Sequence, residues 1–351
     1  MEAALDSGVT PELISCTSGQ IYWTWRYLLQ SHDEKDPLTG ESVSLYRELM
    51  RDIDKTNMLP QSLSWLDGPL MAMVGDPGIF QPAVADYWRN LSKPYFSFDA
   101  EHYWDQLRHE ALNRLMPAMV FVPERSREAL TAIGMRFATE NNIGLMFNAY
   151  DVPAGEEVLY LNRRAQALLQ DGRPGRYRDA KCHNGTLVRV LDESDPEMVF
   201  EAVDAALWLY LYGFRDRQGR ARTRVDGAYH RQMIIRELVP AATRIYAVRP
   251  QTNEWRGKLP QNALEVANFV TLVWFNASYP GETAEIALIN ELLDKQLLQP
   301  GKPYSKIELV PVEYQARIRY YEYFVEREAV YQAAYRRASE VFARHAAARV
   351  A

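Results

Sequence analysis

Cysteine is scarce in this chain. Cys16 and Cys182 are the only two among 351 residues, too few for a disulfide framework, and a reducing compartment is the default expectation. Long apolar runs are missing as well: no stretch approaches the roughly 18 unbroken apolar residues of a membrane span. Cationic charge is not in excess. Lys and Arg number 40 against 46 Asp and Glu, for a formal charge of -6, whereas a nucleic-acid binder needs a basic face. Histidine is sparse and scattered, at His32, His102, His109, His183, His230 and His345. None falls in an H-E-x-x-H pattern, and Cys182-His183 lacks partners at ligand spacing, so no metal is expected. Glycine-rich phosphate loops, internal repeats and low-complexity tracts are absent, and no cofactor is expected. The first residues, 1–6, carry neither the basic segment nor the apolar run of a secretory leader, which makes the expected location cytoplasmic.

What the chain does contain is apolar and aromatic residues, 47% and 12% of the total. That suffices for a large core in one big domain or two modest ones. Residues 2–7 read as the end of a helix closed by Gly8. A short strand follows at 13–15, then the turn Cys16-Thr17-Ser18-Gly19, then an aromatic helix over 21–29. Residues 60–94 are dense in Pro, Gly and aromatics, including Trp65, Phe80 and Trp88, and read as a cap or insertion. A helix is expected over 101–115.

Strands and helices alternate beyond that point. The pattern predicts a strand at 119–122, a helix over 125–139, and strands at 144–148 and 158–161 joined by the turn Pro153-Ala154-Gly155. A buried helix is expected over 198–212. The strand ending in Arg224-Val225 leads to Asp226-Gly227-Ala228 and, by expectation, a helix through Val239. Strands at 244–248 and 307–310 are separated by helices over 262–275 and 283–298, and a long helix closes the chain over about 314–348. Such alternation implies an α/β sheet with helices on both faces. The closing helix carries Tyr320, Phe324, Tyr331, Tyr335 and Phe342 at helical spacing. That stripe allows a transient membrane-surface contact, although packing on the core is the commoner use of such a face.

A serine hydroxyl becomes a nucleophile when a base removes its proton and a fixed geometry exposes its oxygen. Ser18 stands in a strand-to-helix turn, where the following helix offers backbone N–H groups and partial positive charge to a developing oxyanion. Taken alone the turn is weak evidence, because serines before helices are most often simple caps. Three tracts in order carry more weight. They are Thr17-Ser18-Gly19 after the helix and strand of residues 4–14, the tract of residues 148–158, and Arg224-Val225-Asp226-Gly227-Ala228-Tyr229 between a strand and a predicted helix.

Together these tracts resemble the patatin-like phospholipase family over roughly residues 1–30 and 118–250. The resemblance implies a three-layer patatin-like sheet with helices on both faces, and a Ser-Asp dyad without histidine. Ser18 is then the nucleophile, Asp226 the base, the Gly19 N–H an oxyanion donor, and Thr17 and Gly227 support the two motifs. It further implies lipid or carboxylic esters as substrates. The expected organisation is a nucleophile segment over 1–31, a cap over 32–117, the rest of the catalytic domain over 118–250 and a mostly helical extension over 251–351 packed on the same domain.

The chain departs from the family in two places. Cys16 and Gln20 occupy the positions flanking the serine where the family has small residues. The family's glycine-rich oxyanion loop and first strand precede the opening helix, whereas the sequence as given opens inside that helix. The expectation is either a start-site truncation of a longer reading frame or loss of part of the oxyanion hole, with an exposed sheet edge or groove where the strand is lost. A competing reading is therefore a patatin-fold binding or regulatory protein that no longer catalyses. A Ser-His-Asp triad using His183 or His230 is disfavoured, because an α/β-hydrolase elbow follows several strands and residue 18 leaves no room for them. Asp67-Gly68 and Asp171-Gly172 share the Asp-Gly pair but read as ordinary turns.

Overall fold

In the computed structural model, residues 1–60, 79–92, 119–173, 175–215, 220–249, 277–301, 304–314 and 327–347 are described, with a few isolated positions between them. The helix expected over 101–115, most of that expected over 262–275, and Tyr320 and Phe324 lie outside these residues.

The chain opens with α1 (Glu2–Asp6), β1 (Leu13–Cys16) and α2 (Gln20–Ser31), followed by α3 (Leu45–Thr56), β2 (Phe80–Pro82) and α4 (Val84–Ser92). Next come β3 (Phe121–Pro123), α5 (Arg127–Thr139), β4 (Gly144–Asp151), β5 (Glu156–Leu161) and α6 (Arg163–Gly172). The run continues with β6 (Cys182–His183), β7 (Thr186–Val190), α7 (Pro196–Ala206), β8 (Arg224–Asp226) and β9 (Arg244–Arg249). It ends with α8 (Ser278–Asp294), β10 (Glu308–Glu313) and α9 (Glu328–Ala347).

The main sheet is mixed, in the order β1-β4-β5-β7-β6, with β8 also pairing β4. β4 and β5 form an antiparallel hairpin about residues 152–155, whereas β1 joins β4 in parallel. Strict alternation along β4 assigns its faces. Leu145, Phe147 and Ala149 pack with Ile21, Trp25 and Leu28 of α2, Phe137 of α5 and Val203 of α7. Met146, on the opposite face, packs with Leu169 of α6, Ile286 of α8 and Ile245 of β9. Helices thus cover both faces. α5 and α7 cross closely because Gly134 has no side chain: a Cβ there would stand 2.6 Å from the Val199 carbonyl.

Local caps agree with the sequence. Ser126 accepts from the Ala129 N–H at the start of α5, and Asp195 from that of Met198 at the start of α7. Asn162 caps α6 and also accepts from the Leu145 N–H, while its amide donates to the Glu140 and Ile143 carbonyls. This buried amide has every bonding direction occupied, as burial demands.

Beyond residue 250 the chain shares the same core. β10 pairs in parallel with β9, and α8 buries Ile286 and Ile289 in the second apolar layer. α9 lies against β10 and α1: Phe342 packs on Tyr246, Tyr335 donates to Asp6 at 2.5 Å, and Tyr331 bonds Glu2. The described part of the aromatic stripe therefore meets protein.

Three sequence expectations change. The helix of 198–212 stops at Ala206, and Trp208 through Tyr212 turn away through a short 3₁₀ segment so that the Trp208 carbonyl can receive the Asp226 N–H. No helix runs from 227 to 239. Two 3₁₀ turns, Gly227–Tyr229 and Arg236–Leu238, flank irregular backbone whose Arg231 points inward. The closing helix is seen over Glu328–Ala347, and residues 315–326 of its expected span lie outside the described residues. Asp171-Gly172 is the last turn of α6, not a loop. Among the described residues no helix is long and apolar enough to cross a membrane.

Candidate active site

β5 occupies one edge of β4 from Met146 to Asp151. β1 and β8 must therefore share the other edge, since a strand has only two. β1 runs parallel to β4 and ends with Cys16 opposite Phe147, and β8 runs antiparallel and ends with Asp226 opposite Ala149. The two C-terminal ends converge on Asn148. The turn leaving β1 carries Ser18, and the turn leaving β8 begins at Asp226.

Ser18 has φ of +54°, a left-handed conformation that is uncommon outside glycine and asparagine and is characteristic of strained functional turns. Its side chain does not cap α2. The N-cap is Gly19, without a side-chain cap bond, and the Ser18 hydroxyl lies close enough to the Asp226 carboxylate to lower its pKa. Gln20, the departure from the small-residue pattern, is the exposed first residue of α2, so its bulk projects into solvent. Thr17 is buried and donates to the Gln232 carbonyl at 2.7 Å.

Asp226 is 1% exposed. One carboxylate oxygen accepts from the Ala228 N–H at 2.9 Å. Burial pushes its pKa from the ordinary 3.8 up to about 6, against the pull of the Ser18 hydroxyl, the Ala228 N–H and the Arg125 guanidinium. Such a carboxylate is ionised at neutral pH and accepts a proton more readily than an unperturbed aspartate. Gly227 makes the approach possible: a Cβ there would lie 2.4 Å from Cγ and Oδ1 of Asn148.

Gly19 is exposed, and its N–H has no hydrogen-bond partner among the described residues. The next two amides are spent, with Gln20 donating to the Thr17 carbonyl and Ile21 to that of Ser18. The free N–H at the mouth of a twelve-residue helix is placed to meet negative charge forming beside Ser18.

Other nucleophiles and bases fall away. Cys16 is buried, and desolvation pushes its thiol up to about 12. Cys182 is exposed and hydrogen-bonded to Glu156, and both cysteines are free. His230 is exposed and stacks on Tyr150 with ring centroids 5.0 Å apart. No group of His, Cys, Asp and Glu among the described residues is arranged to hold a metal.

Sequence reasoning missed two residues at this site. Arg125 donates to the Leu207 carbonyl and lies over the Tyr212 ring, while its Nε and Nη1 are buried without partners. No spacing rule links residue 125 to residue 226. Asn148 did leave a signal, as a lone amide amid the apolar residues of a strand buried on both faces.

No family model matches the chain, and no curated protein matches it.

Proposed function

We propose that the chain is a serine acyl hydrolase of the patatin-like kind, cleaving lipid or carboxylic esters through a Ser18-Asp226 dyad. One observation carries this reading. Ser18 is held at positive φ beside a buried, weakly acidic carboxylate on whose pKa its hydroxyl acts, and its side chain does not cap α2.

Asp226 accepts the Ser18 proton as the serine oxygen bonds to the ester carbonyl carbon. The carbonyl electrons move onto oxygen, where the Gly19 N–H stabilises the charge. On collapse the carbon–oxygen bond to the alcohol breaks, and the alcohol leaves with the proton held by Asp226. Water then attacks the acyl-serine, gives a proton to Asp226, and releases the acid as Ser18 recovers its hydrogen. The cycle consumes one ester and one water and needs no cofactor.

A second reading, a patatin-fold protein that binds an acyl ligand without turning it over, draws on the oxyanion side, where Gly19 is the one donor identified. Losing an oxyanion donor costs about a hundredfold to a thousandfold in rate. Hydrolysis of p-nitrophenyl esters of graded chain length separates the readings. The hydrolase reading expects turnover that Ser18→Ala abolishes. Turnover equal in wild type and Ser18→Ala, or none above buffer, defeats it.

A further inference from the structure

The segment that follows Asp226 touches both halves of the proposed dyad. On the nucleophile side, Ser15 Oγ donates to the Ile234 carbonyl at 2.8 Å and Thr17 Oγ1 to that of Gln232 at 2.7 Å. These bonds flank Cys16 and end one residue before Ser18. On the base side, the same segment is covalently continuous with Asp226 and turns back on itself, with the His230 and Arg231 N–H groups donating to the Gly227 carbonyl. Residues 227–236 thus form a strap across the ends of β1 and β8.

Little regular hydrogen bonding holds this strap, since it is neither strand nor continuous helix. Its fixed point is Arg231, only 5% exposed. The guanidinium grips Glu157 of β5 with two bonds, Nε to Oε1 at 3.1 Å and Nη2 to Oε2 at 2.8 Å. Nη1 reaches Glu237 at 2.7 Å and Glu282 of α8 at 3.0 Å. Glu282 returns to the strap, accepting the Ile235 and Arg236 N–H groups at 2.6 and 2.9 Å. Asn148 closes the loop from below, its amide donating to Glu157, to the Arg231 carbonyl and, at 3.5 Å, to the Gly227 carbonyl.

A buried guanidinium engaged in fork geometry fixes orientation as well as charge. Three glutamates meeting one arginine is a costly arrangement to bury, and an apolar core would hold a merely structural loop at least as well. The cluster joins β4, β5 and α8 to a segment that contacts both site turns.

We infer that Arg231 is a positioning residue for the Ser18-Asp226 pair, acting through the strap of residues 227–236 that Glu157, Glu282 and Asn148 clamp to the sheet. The inference rests on the hydrolase reading for its functional meaning, while its mechanical content stands apart. Misplacing reacting groups by about an ångström costs on the order of a hundredfold in rate.

Two variants of the full chain test it. Arg231→Lys keeps the charge and loses the fork, and Ser15→Ala combined with Thr17→Val unties the strap from the nucleophile turn without stranding a buried charge. The first measurement is the rate of fluorophosphonate labelling at Ser18, and the second is amide hydrogen exchange over residues 13–20 and 226–236. Both variants should label about tenfold to a hundredfold more slowly. For the ester substrate, kcat should fall while KM holds. Arg231→Lys should speed exchange in both segments and leave that of β7 unchanged, which a general loss of stability would not do. Labelling within twofold of wild type in both variants overturns the inference. So does faster exchange over 226–236 with that over 13–20 unmoved. If the wild type is not labelled at Ser18, the proposed chemistry fails, and the coupling of exchange between the two segments alone decides the inference.

Discussion

Ser18 and Asp226 meet because their strands end on the same edge of β4, with Asn148 alone between the residues that pair with Cys16 and Asp226. One strand arrives parallel and the other antiparallel, so each delivers its turn to the same point. The proposed dyad is a product of register. A slip of one residue in β8 would carry Asp226 to the other face of the sheet.

Burial of Asp226 sets the pH dependence of the proposed reaction. The base works ionised, so kcat/KM should fall about tenfold per unit as pH drops below about 6. The Ser18 hydroxyl and the Ala228 N–H pull its pKa down against burial. Arg125 is the cation that acts on its pKa. Arg125→Gln should therefore move the acid limb upward, and Arg125→Lys should largely restore it. An acid limb near pH 4 in the wild type would contradict this placement of the base.

The same burial costs stability. A carboxyl whose pKa rises on folding favours the fold while protonated, a contribution present below about 4 and lost as pH climbs through about 6. Asp226→Asn removes the charged form and keeps an acceptor for the Ala228 N–H. At pH 8 it should stabilise the chain by up to about 3 kcal/mol, two pKa units at 1.36 kcal/mol each. At pH 4 the two proteins should match. Urea unfolding at both pH values measures this, and a destabilised variant at pH 8 counts against the buried carboxylate.

Strain at Ser18 predicts a second gain of stability at the expense of chemistry. Glycine accepts φ of +54° freely, whereas serine and alanine do not. Ser18→Gly should unfold about 1 kcal/mol harder than Ser18→Ala, with both inactive. Equal thermal midpoints would mean that the turn relaxes without strain.

Much of this arrangement was legible in the sequence because its signals are local. The turn Cys16-Thr17-Ser18-Gly19 stands between an apolar strand and an aromatic helix, and Pro153-Ala154-Gly155 marks the β4–β5 hairpin. Arg224-Val225 before Asp226-Gly227 marks the end of β8. The strap was misread as a helix because residues 229–239 have helical composition, while the force that straightens them is tertiary. Arg231 is drawn inward by Glu157 and Glu282, which lie 74 and 51 residues away in sequence. Arg125 was invisible for the same reason, as its relation to Asp226 exists only once α7 and β8 are packed. Trp208 through Tyr212 break from α7 to meet the Asp226 N–H, a demand no helical periodicity records.

The central claim is that Ser18 is a nucleophile activated by Asp226. Its most direct test is mass spectrometry of the intact chain and its peptides after reaction with a fluorophosphonate ester at pH 8. One covalent adduct on the peptide bearing Ser18 is predicted, none in Ser18→Ala, and formation slowed about a hundredfold to ten-thousandfold in Asp226→Asn. An adduct on another residue, no adduct at all, or equal rates in wild type and Asp226→Asn would contradict the dyad.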